Sequence, residues 1–327
     1  MFRLIFLLIF LQAFLASPSE TQKPIPIIFD SDMGPDYDDV GAIALLHAFA
    51  DSGKIKILAT IASTRYEGVA AVFNVFNTYF KRPAIPIGVP KSKGIVQKDW
   101  QHWTDTLIAN YPHKIKNNQE VPEAVDVYRK LLASQPDHSV TIVTTGFMTN
   151  LATLLQSKPD KYSTLPGAEL VDRKVKLLVC MAGKFPSGSE FNLRMDSSAS
   201  QYVFKNWTTP VLFSGFEIGW KIRTGLPLIN NKKIHSSPVK DVFRICIPKA
   251  KEDSAGRMSW DETAVLVAIN GTRPFYSLQP GHIEIAPDGS NSWKNGVGLQ
   301  AYLVEAESVE KVQMLINRLI MHQPLKK

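Results

Sequence analysis

Between Asp30 and Asp39 the chain places five carboxylates, Asp30, Asp32, Asp36, Asp38 and Asp39, within ten positions. The apolar run Ile25 to Phe29 before them reads as a buried parallel strand, and Val40 to Leu46 after them reads as a helix facing a core. Five acids at the carboxyl end of a strand repel one another. Two unit charges about 5 Å apart at an effective dielectric near 20 oppose each other by roughly 3 kcal/mol, so a folded cluster needs a cation or raised pKa values. A bound divalent metal answers both demands.

Simpler readings account for less. A helix N-cap uses one acid, not five. An EF-hand fails on spacing, because a loop started at Asp30 puts Gly34 and Pro35 where an oxygen ligand and the turning glycine belong, and Gly41 where the bidentate Glu belongs. Two chemistries remain open on these residues alone: a phosphatase using a strand-end Asp-x-Asp, and a metal-assisted hydrolase.

The whole chain of 327 residues is ample for a sizeable core, and an apolar fraction of 45% with 20% charged residues is ordinary for a globular protein. The net charge of +7 is spread out, with short basic clusters such as Lys232-Lys233, so a nucleic-acid face is not expected. Arg3 followed by apolar Leu4 to Ala16 and polar Ser17 to Glu20 reads as a secretory signal over residues 1–19, too short for a membrane span. A secreted protein, away from the membrane once the signal is removed, is the expectation. The patterns Asn206-Trp207-Thr208 and Asn270-Gly271-Thr272 are consistent with export, and Cys180 and Cys246 are expected as free, structural thiols.

Along the chain, strand and helix patterns alternate: a helix stopping at Gly53, a strand to Ala62, a helix over 68–81, a short strand at 85–89. After a polar, tryptophan-containing excursion from Lys91 to Pro122, the pattern resumes with a helix to Gln135 and strands at Val140–Thr145, Lys174–Met181 and Val211–Ser214. Helices are expected near 151–157, 197–206, 264–269 and 308–320, with strands at 281–287 and 298–304. The fold class is therefore α/β: one Rossmann-like domain over residues 25–322, with a mostly parallel sheet flanked by helices and a ligand site at the strand carboxyl ends.

Four segments in order, Asp30 to Asp39, Thr144-Thr145-Gly146-Phe147-Met148-Thr149-Asn150-Leu151, Glu190-Phe191-Asn192 and Ser259-Trp260-Asp261, resemble the inosine-uridine preferring nucleoside hydrolase family. The resemblance implies a calcium ion in a Rossmann-like sheet and hydrolysis of the N-glycosidic bond of a ribonucleoside. It implies metal ligation by Asp32, Asp39, the Thr145 carbonyl and Asp261, contact of Asp38 and Asn192 with ribose hydroxyls, and Glu190 near the 5′ end of the sugar. Asp30 would support the metal shell from behind. Carboxylates and amides suit the sugar cation that forms on glycosidic cleavage, and Asp32 is the candidate catalytic base. Homo-oligomers are common in the family.

This chain departs from the family pattern in three places. Asp32 and the Asp38-Asp39 pair are two residues further apart than in the best-studied branch, which leaves Asp36 able to take the role given to Asp38. Trp260 stands where many members carry His, so it can stack on a base but not protonate one, which favours a purine slightly. Ala62-Ser63-Thr64-Arg65-Tyr66 lacks the sugar-contacting Asn, with Thr64 or Arg65 in its place and Asn74 and Asn77 expected to be structural. The acid for the leaving group is unassigned, since all seven histidines lie outside these motifs. A catalytically inactive relative that keeps the metal and binds a nucleoside is the alternative.

Overall fold

The computed structural model describes residues 23–325; the expected signal at 1–19 lies outside them. Its framework is a ten-stranded sheet in the order β3-β2-β1-β4-β5-β7-β12-β10-β11-β6. The strands are β1 (Ile25–Ser31), β2 (Ile55–Ala62), β3 (Ile87–Gly88), β4 (Val140–Thr144), β5 (Val175–Met181), β6 (Ser187–Ser189), β7 (Val211–Ser214), β10 (Tyr276–Ile285), β11 (Ser290–Asn295) and β12 (Gln300–Glu305). A separate antiparallel pair joins β8 (Arg223–Thr224) to β9 (Arg257–Met258). From β3 to β12 every pairing is parallel, and from β12 to β6 every pairing is antiparallel.

The central strands are continuously apolar because helices cover both faces. In β1, Ile27 and Phe29 enter one core while Ile28 enters the other; in β5, Val179 and Met181 go one way and Leu178 and Cys180 the other. The first core is closed by the helices Asp38–Asp51, Trp260–Asn270 and Val309–Ile320, which pack on one another. The helices Ala124–Ser134, Thr149–Gln156 and Ser197–Asn206 close the second. Cys180 and Cys246 are buried free thiols.

The alternation expected for the parallel half is present, and the elements missed are short ones. Helices at Trp103–Asn110, Gly167–Lys174 and Pro238–Cys246 are short or polar. The strand expected at 281–287 starts earlier, at Tyr276. Pro280 is tolerated inside it because its carbonyl faces Gly296, so its missing amide faces the side where β11 has already ended. In the excursion, Trp103 is fully buried and Trp100 is exposed; neither reaches the cleft described next. No helix among the described residues is long and apolar enough to cross a membrane.

Candidate active site

β1 delivers the acid cluster to the carboxyl edge of the sheet. There Ser31 Oγ accepts from the Met33 amide (3.1 Å) and donates to Asp39 Oδ1 (2.5 Å), so the strand end and the start of the next helix are tied together. Met33 has a left-handed backbone (φ 27°), and its carbonyl accepts from Tyr66 Oη at 2.7 Å. The β4 loop closes against the same turn through the Thr145 amide, which donates to the Asp30 carbonyl (2.8 Å). Gly146 makes that approach possible: a Cβ there would stand 2.5 Å from the Asp32 amide nitrogen.

These ends surround a cleft of about 220 Å³ lined by Asp32, Asp36, Asp38, Asp39, Thr145, Asp261, Glu190, Asn192 and Trp260, together with Met181, Ser189, Phe191, Arg194 and Phe216. All eight expected site residues converge here, although they come from four separate stretches of chain. Except for the half-buried Trp260, each of the eight is at most 5% exposed.

The carboxylates differ in how they are satisfied. Asp30 lies behind the cleft, where its Oδ2 accepts from Tyr128 Oη (2.8 Å) and Asn150 Nδ2 (3.0 Å) and burial pushes its carboxyl up to about 7. Asp38, expected on a ribose hydroxyl, has both oxygens engaged by the protein: Oδ1 accepts from Arg257 Nη2 (2.9 Å) and Nε (3.2 Å), and Oδ2 from the amides of Trp260 and Asp261 (3.2 Å each). Asp36 is half exposed and pairs with Arg257 Nη2 at 2.5 Å. Glu190, expected near the sugar's 5′ end, caps the helix Phe191–Met195, its oxygens accepting from the amides of Asn192 (2.7 Å), Gly183 (3.1 Å) and Leu193 (3.2 Å).

Asp39 Oδ1 accepts from Ser31 and from Thr145 Oγ1 (3.1 Å), but its buried Oδ2 has no partner among the described residues. Burial and the neighbouring charge of Asp38 push the Asp39 carboxyl up to about 7. Burial, then the charges of Asp39, Asp36 and Asp38, raises Asp32 well above the carboxylate range; burial, then Asp38, Asp39 and Asp32, does the same to Asp261. Among the described residues no three His, Cys, Asp or Glu side chains form a ready-made metal cage. The orphaned Asp39 oxygen, the mutual repulsion and the hard oxygen donors nonetheless fit a divalent cation, with a backbone carbonyl completing the set.

Asn192 Nδ2 donates to the carbonyls of Thr145 (3.2 Å) and Met181 (3.1 Å), which turns its Oδ1 away from them; this oxygen has no partner among the described residues. The same cleft is lined by aromatic rings. Trp260 Nε1 donates to the Phe216 carbonyl (2.8 Å), and the two rings lie 5.3 Å apart. Gly219 allows this packing, since a Cβ there would stand 2.3 Å from Trp260 Cα.

One expectation resolves differently, and two hold. Thr64 and Arg65 do not line the cleft; they bond the carbonyls of Ile95, Gln97 and Gly94 and hold the excursion in place. Asn74 accepts from the amides of Lys114 and Ile115, and Asn77 bridges Thr60 and His47, both structural roles. No histidine lines the cleft. Phe191 lies inside the Glu190-Phe191-Asn192 motif, whereas Phe216, Arg194 and Arg257 lie in stretches with no motif to mark them.

Clustered carboxylates suited to positive charge, buried at the edge of a parallel α/β sheet beside aromatic rings suited to a flat base, fit a hydrolase of N-glycosidic bonds. Residues 27–312 match the family described as inosine-uridine preferring nucleoside hydrolase, and the chain belongs to that family. It is 28% identical over 234 residues to the pyrimidine-specific ribonucleoside hydrolase RihA of Salmonella enteritidis, covering 67% of this chain and 68% of that one. Its fold resembles a plant nucleoside hydrolase, PpNRh1 (TM-score 0.70, 19% identity, 91% and 99% of the two chains covered). It equally resembles the purine-preferring ribonucleoside hydrolase of Gardnerella vaginalis (TM-score 0.70, 18% identity, 90% and 98% covered).

Proposed function

We propose that this nucleoside hydrolase is a secreted, calcium-dependent enzyme that splits ribonucleosides into free base and ribose, with a preference for purines. The observation that carries the chemistry is the convergence of four separate motifs on one cleft that holds both clustered acids and aromatic rings. Asp32, Asp39, Asp261 and the Thr145 carbonyl would hold the cation. When bound, such a hard cation compensates the clustered charge and lowers the pKa of water.

The chain's own residues supply the rest. Asp32 takes the proton from the attacking water, and the surrounding carboxylates stabilise the oxocarbenium character that develops on the sugar. Asn192 Oδ1 accepts from a ribose hydroxyl, while Glu190 and Asp38, whose oxygens the protein already engages, shape the sugar pocket around it. Trp260 and Phe216 stack on the base. The larger face of a purine gains more from that stacking, which supports the preference, although the RihA relative is named for pyrimidines.

Residues 1–19 as a cleaved leader before a catalytic domain at 25–322, and assembly into a homo-oligomer, are part of the same reading. The first is supported by the basic, apolar and polar order of the N-terminus and the second by the family relationship. The test is reducing-sugar release from a panel of purine and pyrimidine ribonucleosides, with calcium or a chelator, beside Asp32→Ala. Chelator-sensitive release, greatest for purines and lost in the variant, is the expected result. Absence of release from every nucleoside, with calcium still bound, would overturn it in favour of a binding protein.

A further inference from the structure

Among the described residues, the one buried cation beside the cleft, Arg257, is shared unequally among the acids. Arg257, whose side chain is 7% exposed, sends Nη2 to Asp36 (2.5 Å) and Asp38 (2.9 Å), and Nη1 lies 3.7 Å from Asp253, which also accepts from Tyr37 Oη at 2.6 Å. Its guanidinium carbon is 4.9 Å from the Tyr37 ring centre and 5.0 Å from that of Trp260. A planar guanidinium suits this place because it donates along its edge while its faces meet aromatic rings. Asp38 is further engaged by two backbone amides, whereas among the described residues neither Asp39 Oδ2 nor the Asp32 carboxylate receives a hydrogen bond from a neighbouring side chain.

We propose that Arg257 is a positioning residue that divides the acidic cluster: it withdraws Asp36 and Asp38 from the cation shell, leaves Asp32, Asp39 and Asp261 to it, and sets the plane of Trp260 toward the base. The division rests on the cation-dependent reading given above. It explains why a cluster with two additional acids would still present a single cation site: those two already have a positive partner. It also joins two functions in one side chain, since the group that neutralises Asp38 is the group packed on the ring that meets the base.

The test uses the full chain, with calcium alone as titrant in calorimetry and with purine and pyrimidine ribonucleosides as substrates. Arg257→Gln removes the charge, so Asp36 and Asp38 are released as ligands. Calcium binding should then change from one event to two, or tighten at least threefold, while kcat/KM falls tenfold or more. Arg257→Lys keeps the charge but lacks the flat fork. It should keep one calcium event and raise KM for a purine ribonucleoside at least fivefold, with a smaller effect on kcat and on pyrimidines.

Far-ultraviolet circular dichroism checks the fold of each variant, and if Arg257→Gln does not fold, the KM split in Arg257→Lys decides. Wild-type calcium stoichiometry and affinity in folded Arg257→Gln, or an unchanged purine KM in Arg257→Lys, would overturn the proposal while the hydrolase reading stands. A wild-type chain that neither binds calcium nor releases ribose would overturn both.

Discussion

The two walls of the cleft are built on opposite principles. The acidic wall, from Asp32, Asp39 and Asp261, is incomplete by itself: buried carboxylates face one another, and one Asp39 oxygen has no partner. The rest of the lining is more nearly satisfied: Glu190 accepts from three backbone amides, Asn192 Nδ2 donates to two carbonyls and leaves only its Oδ1 for a ligand, and Trp260 Nε1 bonds the Phe216 carbonyl. Free energy for folding is therefore stored on one side and withheld on the other. A wall made of unsatisfied acids is where an external cation is needed, and a satisfied wall is where a substrate finds a shape already formed.

The largest way to break this contrast is Asp32→Asn, which keeps the volume but removes the base and one repelling charge. Ribose release should fall by about 10²- to 10⁴-fold, while the cation-free protein becomes more heat-stable, read by thermal melts with chelator. A gain in activity or a lower cation-free melting temperature would contradict the assignment.

The pH dependence of the cation-free protein follows from the same imbalance. Burial pushes Asp30, Asp39 and Glu190 up to about 7 from ordinary carboxyl values of 3.8, 3.8 and 4.5. A carboxyl raised on folding holds more protons in the folded state between its unfolded and folded pKa values, so stability falls as pH rises through that window. With chelator present, the melting temperature should decline from about pH 4 to about pH 7, and calcium should restore most of the loss at the upper end. A cation-free protein that gains stability over that range would show the acids to be compensated internally.

Gly146→Ala tests the backbone contact under the acidic wall, since its Cβ would meet Ser63 Oγ at 2.1 Å and Asp32 N at 2.5 Å. A loss of about 1–3 kcal/mol in denaturant unfolding is expected for such overpacking, with activity falling further than stability. Glu190→Gln strikes the completed wall, where replacing one oxygen by an amide leaves a backbone N–H of its helix without its acceptor. About 1–2 kcal/mol of stability should be lost. Smallest is Trp260→Leu, which should raise KM for purine ribonucleosides by about 2- to 10-fold, the magnitude of one aromatic stacking contact. Equal effects on purines and pyrimidines would remove the base preference.

The acid cluster was legible because four of the acids lining the cleft lie within eight positions at the end of an apolar strand, where charge density and strand pattern mark the same point. The parallel half of the sheet was legible for a related reason, since strands buried on both faces must be continuously apolar. β11, by contrast, is polar Ser290–Asn295 at the sheet's periphery and has no such signature. Phe216 and Arg257 left no trace either, since a single aromatic or basic residue in an irregular stretch has many possible partners.

By itself the sequence determined the sheet's parallel half, the location of the acid cluster at its carboxyl edge and the four segments that meet there, because periodicity and charge density are local properties. Only the tertiary structure decided which acids are already satisfied. Arg257, more than two hundred residues from Asp36 and Asp38 in the chain, sets that division, because a hydrogen bond or an ion pair depends on distance in space.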